Sequence, residues 1–359
     1  MRKERDVADH VLGSRLQLAQ GMRWVWGIHG DHYARLLTAI DADPYPLAAA
    51  VRETDGLVRS NVGGWVTARH DVATTLLSDD GFGAGAPDGS DPEAVVQPLD
   101  LAPPRPVAGP DRDALAAVCA ERAARLAPEF DLVTDYARPC AAVLAAVLAG
   151  LPPEPLTAVS ADLAPALSVE LAAQQLDTAV RVRAALARLR ELGAAEDAVA
   201  LVVALTEPVT AAIGNAGAAL LPDHWSGVWA EPTAAAGVAA EILRFEAPVQ
   251  IRTCVAQADT IVGGQAIAAG EQVAVLVGGA NRDPDAFPEP DRFRLDRESG
   301  AAVPIGAGPA GATVALLTEL AIAALAAHHP SLGLAGTPVR PSRSPVLRGW
   351  HAFPLAVAA

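Results

Sequence analysis

Glu241 and Arg244 stand three residues apart in the run EILRF, a spacing that puts a carboxylate and a guanidinium on one helix face as a pair. Alone, such a pair is usually a solvated surface contact of little energetic weight. Cys119, Cys140 and Cys254 are the only thiols. No two share a metal-ligand spacing, and an odd, sparse count is not a disulfide framework, so a reducing cytoplasm fits best. His328-His329 precede a proline at the end of a helical run, and His70-Asp71 open another; both read as helix-end arrangements. Ser168, Ser226 and Ser331 lie in no Gly-x-Ser-x-Gly context. The glycine run IGAGPAG imitates a phosphate cradle, but no lysine follows it. No catalytic residue and no metal site is expected.

Charge narrows the partners. Forty-two acidic residues against 27 basic ones give a net charge of −15 across 359 residues. A pI near 4.9 argues against nucleic acid and against an anionic membrane surface. Hydrophobic residues reach 51% and charged ones 19%, which excludes a disordered chain. The start MRKERDVADHVLG has no apolar core after its charges, so it is no signal peptide. No apolar run is expected to span a membrane: Cys140 to Leu151 stops at Pro152 and Pro153, and Val209 to Leu221 contains Asn215.

The elements that must position these residues are mostly helical. The first thirty residues are ambiguous. Leu12, Leu16, Ala19 and Trp26 nearly keep helical spacing, while Met22, Trp24, Trp26 and Ile28 alternate like a strand. Tyr33, Leu36, Leu37 and Ile40 form one helical stripe, DADPYP breaks the chain, and LVRS and GGWVTAR read as paired strands. Residues 81–110, rich in Gly, Pro and Asp, read as a long loop, with a linker between domains as the alternative. Helices follow to about Leu243, with Pro208 expected to interrupt EDAVALVVAL and its continuation. Strand chemistry returns at IRTCVAQADTIVGGQAIAAGEQVAVLV, with turns at Gly263-Gly264 and Ala269-Gly270. After the irregular NRDPDAFPEPDRFRLDR come a helix from Ala312 to His328 and last strands through PVLRGWHAFPLAV. The expected class is mainly α with small β-sheets.

EILRF followed by NRDPDAFPEPDRFRLDR resembles the cytochrome P450 family. The likeness extends over DPYPLAAAVRE, GGWVTARHDVATTLL, FDLVTDYARPCAAVLAAVLAGLPPE and IGNAGAALL. It implies a P450-like fold in which Glu241 and Arg244 are locked by a third residue, which maps to Arg292.

The same resemblance implies that the haem positions have been lost. The family's ligand cysteine maps to Ala310, in IGAGPAGATVALLTE aligned back from Glu319. On the central helix Glu207 keeps the family's acid, but Pro208 and Val209 replace two hydroxyl residues, and valine cannot donate to bound oxygen. Cys254 falls on a propionate arginine, with Arg252 two residues earlier on the same strand face. Arg112 and Ala116 fall on the histidine and arginine of the early helix. Together these imply no haem and no other cofactor.

A haem-free P450 fold resembles the auxiliary proteins of antibiotic clusters that bind and activate a glycosyltransferase attaching a deoxysugar to a macrolide or anthracycline-type polyketide. SRLQLAQGMRWVWGIHGDHYARLL looks like their N-terminal stretch. The resemblance implies a heteromeric complex with the glycosyltransferase, with two copies of each. Residues 1–30 are then a partner-docking segment ahead of a P450-like domain, 31–359. Its apolar and aromatic side chains, Leu16, Leu18, Met22, Trp24, Val25, Trp26 and Ile28, are the expected contacts, the alternative being that Trp24 and Trp26 pack onto their own domain. A haem monooxygenase with a degenerate loop, or a cofactor-free enzyme using the old substrate pocket, are the alternatives.

Overall fold

The computed structural model describes residues 2–39, 43–54, 56–83, 107, 109–166, 175–221, 225, 234–297, 310–341 and 344–357. Most of the 81–110 stretch, the IGAGPAG run up to Pro309, Ser168 and Ser226 lie outside them. The helices are α1 (Arg2–Ile28), α2 (His32–Thr38), α3 (Tyr45–Arg52), α4 (His70–Ser78), α5 (Arg112–Ala124), α6 (Arg138–Ala149), α7 (Pro153–Leu163), α8 (Leu176–Glu191), α9 (Glu196–Leu220), α10 (Ala234–Phe245), α11 (Val277–Ala280) and α12 (Gly311–His328). A π-helical turn, Leu132–Ala137, leads into α6. The class expected from the sequence, mainly α with small sheets, is what the chain adopts.

The largest sheet runs β1 (Val58–Arg59), β2 (Trp65–Thr67), β8 (Gln272–Leu276), β5 (Ile251–Ala256), β3 (Phe82–Gly83). Only β2 and β8 are parallel; the other pairs are antiparallel. Both edges are two-residue strands, which leaves little unpaired backbone to recruit another chain. Alternation on β8 sorts the two cores. Val273 and Val275 pack with Val72 and Leu76 of α4, while Ala274 and Leu276 pack with Leu36, Leu47 and Val51 of α2 and α3. β6 (Thr260–Val262) and β7 (Gln265–Ile267) form a hairpin closed by Gly263 and Gly264, both at positive φ, as a two-residue primed turn needs. A third sheet joins β4 (Glu129–Asp131), β10 (Pro354–Val357) and β9 (Leu332–Leu334).

The main core is built by α5 to α10 and α12 around the central α9, which is buried along nearly its whole length. Helix α9 runs unbroken through Pro208, contrary to expectation. Its neighbours Thr206 and Thr210 fold their hydroxyls back onto the carbonyls of Val202 and Thr206, at 2.7 Å each. The expectation of no span-length apolar helix is also corrected: Leu132–Ala149, Glu196–Leu220 and Gly311–His328 are long and apolar enough. Their most apolar windows are 67%, 83% and 44% buried inside the protein, so much of that apolar surface is core. The strand-like alternation near the N-terminus gives way to one helix, α1. Leu12 and Leu16 on α1 dock into the main core, and Gly27 lets α1 approach the Arg35 backbone of α2. An added Cβ at Gly27 would sit 3.1 Å from the Arg35 Cα.

Candidate functional site

The Glu241–Arg244 pair is a buried lock. Arg244 is 1% exposed and Glu241 5%. Arg244 donates from Nε and Nη2 to the two Glu241 carboxylate oxygens at 2.8 and 2.7 Å. Its remaining N–H groups reach the carbonyls of Asn281 (3.0 Å), Pro290 (2.8 Å) and Arg292 (3.0 Å). These carbonyls belong to a Pro-rich segment with no ladder to satisfy them, so the guanidinium supplies the partners that buried backbone requires.

The third member is Arg297 and not Arg292. Arg297 Nε lies 3.0 Å from both Glu241 oxygens, and its Nη groups serve the carbonyls of Pro288, Glu289 and Arg292. The Arg294 backbone N–H adds a 2.9 Å bond to the same carboxylate. Arg292 contributes its carbonyl to the lock, while its side chain is 69% exposed and pairs with Glu289. The irregular backbone turns the side chain of 292 outward and that of 297 inward. Three arginines within DRFRLDR offered no periodicity by which to choose.

A second buried carboxylate, Glu246, collects Tyr45 Oη (3.0 Å), Arg340 (2.8 Å) and Arg348 (2.5 Å), with Arg282 at 3.4 Å. Arg282 also lies over the Tyr45 ring, 3.4 Å from its centroid. This node ties α3, the end of α10 and the C-terminal segment together. The sequence reading missed it because its members are up to about three hundred residues apart. The start of α4 is also served from a distance. The Asp283 carboxylate accepts from the His70 N–H at 2.9 Å and Thr67 Oγ from the Arg69 N–H, while Asp71 itself accepts from the Val72 N–H at 2.8 Å, so the cap is shared between His70-Asp71 and residues outside the helix.

The residues at the family's haem positions do not fit a haem. Ala310 caps the N-terminus of α12 and is buried in the main core with Val209; a methyl and an isopropyl group offer iron no donor. Cys254 lies on β5 beneath the sheet core, and burial pushes its thiol up to about 12, so it is a neutral thiol rather than a thiolate ligand. Cys119 and Cys140 face each other, Sγ to Sγ, at 3.5 Å between α5 and α6. Arg112 reaches across to Glu319 of α12 as an ion pair, and Ala116 packs at the edge of the main core. Among the described residues no cluster of three histidine, cysteine or carboxylate side chains could hold a metal.

Helix α1 divides the expected docking residues between two faces. Leu16, 2% exposed, belongs to the core and cannot meet a partner. Trp26 is half-buried. Leu18 (67% exposed), Met22, Trp24, Val25 and Ile28 (75%) face outward. Val11, which the sequence reading did not single out, joins them. Val11, Leu18, Met22 and Val25 are spaced by seven, four and three residues, which aligns them in one stripe; Ile28 lies at its edge, and Trp24, two residues from Met22, is exposed on a different side of the helix.

One cavity, of about 420 Å³, opens on the α9 face that carries Glu207 and Ala211. Val209, two residues from each, turns to the other side of the helix and into the core. Arg138, the first residue of α6, lies with Nη2 3.6 Å from Glu207 Oε1, an ion pair without a hydrogen bond. Burial raises the Glu207 carboxyl to about 6, against the smaller opposing pull of Arg138. Trp350 lies against Gly214 of α9, where an added Cβ would meet its Cδ1 at 3.2 Å.

Comparison with known proteins agrees with this frame. The cytochrome P450 family pattern matches residues 236–303, which hold the Glu241–Arg297 lock. Protein DesVIII of Streptomyces venezuelae is 35% identical over 99% of this chain and 96% of its own. The cytochrome P450 family protein EryCII of Saccharopolyspora erythraea is 35% identical over 96% and 97%. Among solved structures, P450BioI in complex with a hexadecenoic acid-ligated acyl carrier protein superposes with a TM-score of 0.74 at 22% identity, covering 88% of this chain and 99% of that one. A full-length relative of that name, the shared frame and the retained lock place this chain in the cytochrome P450 family, with alanine, valine and cysteine where the sequence resemblance puts the haem contacts.

Proposed function

We propose that this protein is a noncatalytic auxiliary protein, free of haem, that binds and activates a glycosyltransferase attaching a deoxysugar to a polyketide antibiotic. The combination that carries the reading is a P450 fold in one chain with alanine at the position to which the sequence resemblance maps the iron ligand. The end-to-end likeness to DesVIII and EryCII supports it. So does the outward stripe of α1. An isolated apolar side chain on a surface needs no explanation, but Val11, Leu18, Met22 and Val25 aligned along one helix form a stripe of the kind that marks interaction sites. The 1–30 segment acts as the docking element through that outward stripe, in a complex with two copies of each chain. Activation follows if the auxiliary protein binds the active conformer of the transferase more tightly than the inactive one.

The test is co-expression with the partner transferase, comparing sugar transfer with wild type and with Leu18→Ser, Met22→Ser and Val25→Ser combined. The triple variant keeps its fold, because these side chains cover no core, and loses both co-purification and activation. Full activation by the triple variant, or a strong Soret band in the purified protein, overturns the proposal.

A further inference from the structure

The cavity beside α9 contains polar atoms that the protein itself does not satisfy. Arg138 Nε, Glu207 Oε2 and Trp350 Nε1 are each buried without a hydrogen-bond partner. All three residues line the cavity, on α6, α9 and the C-terminal segment respectively. Native proteins rarely leave such atoms unpaired, because each forfeits its hydration without return. Three around one space are what a site made for a polar ligand looks like when described without it.

The chemistry of the lining selects the ligand. Two orphans donate, Arg138 Nε and Trp350 Nε1, and one accepts, Glu207 Oε2. Arg138 and Arg181 are balanced by Glu207 and Asp162, so the cavity has no excess of either sign. An anion would meet two carboxylates, and an apolar ring would leave all three orphans unpaired. Hydroxyl groups donate and accept from one atom, which is what this mixture of partners needs. The volume lies within the ordinary range for small-molecule sites. The site is also built rather than incidental. Gly349 packs so closely on Ala211 of α9 that an added Cβ would lie 2.8 Å from the alanine methyl, and Gly214 admits the Trp350 ring. Two glycines thus seat the C-terminal segment against the central helix, which brings the Trp350 indole to the cavity that the Arg138–Glu207 pair also lines.

We infer that this cavity is a binding site for an uncharged, hydroxyl-bearing ring of the size of a monosaccharide. The site lies on the Glu207 side of α9, whereas Val209 turns into the main core. It stands whether or not the protein activates a glycosyltransferase. If that proposal holds as well, the sugar class matches the partner's chemistry.

Ligand-observed NMR and calorimetry on the full chain test it, with methyl β-D-glucoside and methyl α-L-rhamnoside as neutral probes and thymidine diphosphate as the anionic one. At least one neutral glycoside binds saturably, with Kd in the millimolar range or below, and thymidine diphosphate does not compete. Trp350→Phe, which removes one donor, weakens binding about fivefold, and Glu207→Leu weakens it about tenfold or more. Gly349→Val pushes the C-terminal segment off α9 and abolishes binding. Circular dichroism and thermal melts confirm that each variant is folded, and the Phe variant, the mildest change, carries the test if another is not. The inference is overturned if neither glycoside saturates up to about 50 mM, if Trp350→Phe and Glu207→Leu leave affinity unchanged, or if thymidine diphosphate binds more tightly than both sugars.

Discussion

Replacing Arg297 with alanine should destabilise this protein far more than replacing Arg292, although the two lie five residues apart in one arginine-rich run. Arg297 is 13% exposed and holds the 5% exposed Glu241 carboxylate together with Arg244. Its loss leaves Glu241 with one guanidinium in place of two, and strips the carbonyls of Pro288 and Glu289 of the donors that Arg297 supplies. Breaking a buried pair by removing one partner costs about 3–5 kcal/mol. The Arg292 carbonyl, which does bond within the lock, is backbone and survives Arg292→Ala. The Arg292 side chain pairs only with exposed Glu289, where solvent screening leaves no measurable contribution. For 359 residues the unfolding entropy near the midpoint is about 750 cal/mol/K. Arg297→Ala should therefore lower the melting temperature by about 4–7 °C, and Arg292→Ala should leave it unchanged within error. Differential scanning calorimetry on the two variants and wild type reads this directly, and urea midpoints check that unfolding remains cooperative. Equal destabilisation by both variants, or none from Arg297→Ala, would refute the assignment of Arg297 to the lock.

The remaining predictions are briefer. The Glu207 carboxyl sits at about 6 when folded against an ordinary 4.5, so the folded state holds this proton more tightly. The stability from that proton is therefore full below about 4.5 and lost as pH rises through about 6, a swing of about 2 kcal/mol that Glu207→Gln abolishes. The difference between variant and wild-type urea stabilities at pH 4.5 and 7 measures it; equal differences at both pH values contradict it. Leu16→Ala should cost about 2–4 kcal/mol, whereas Leu18→Ala, on the open face, should leave the urea midpoint in place. All three cysteines are buried, so iodoacetamide at pH 8 should label none in the native protein and three in urea. Rapid native labelling would place a thiol at the surface.

Much of the fold was legible because its signals are local. The EILRF pair, the Gly263-Gly264 hairpin and the helix from Gly311 to His328 each declare themselves within a few residues. The ambiguous N-terminus shows where local signals stop. Met22, Trp24, Trp26 and Ile28 alternate as a strand would, yet α1 is fixed by Leu12 and Leu16 entering the main core and by Gly27 meeting α2. Tertiary contact overrode a period of two. β4 went unread for a related reason: its partner is β10, Phe130 opposite Leu355, and no short-range pattern announces a pairing that distant. Ala310 and Val209 drew notice from the sequence because a side chain without donor atoms needs no geometry to be recognised. Arg138, Glu207 and Trp350 come together only through the packing of three separate segments, and of these Glu207 alone drew notice from the sequence.

The division of labour in this chain runs along α1 rather than at its end. A segment comprising residues 1–30 suggests an appendage that could be removed, yet Leu12 and Leu16 belong to the same buried core as α6. Deleting the segment would bare the apolar surface those leucines cover, so loss of activation on truncation would confuse docking with folding. Only the outward stripe separates the two, since Leu18, Met22 and Val25 turn away from the surfaces that Leu12 and Leu16 bury. The inward face also sets where a partner's pull would be felt. Gly13 of α1 lies 3.5 Å, as measured from an added Cβ, from Leu176 at the start of α8, and Thr178 and Arg181 of α8 border the cavity. A partner that shifts α1 thus acts on the same helix that walls the proposed sugar site. By reciprocity, a ligand that orders α8 changes partner affinity by the factor by which the partner changes its own. The fold thus holds a physical route between an outer surface and a cavity, and that route is helix α8.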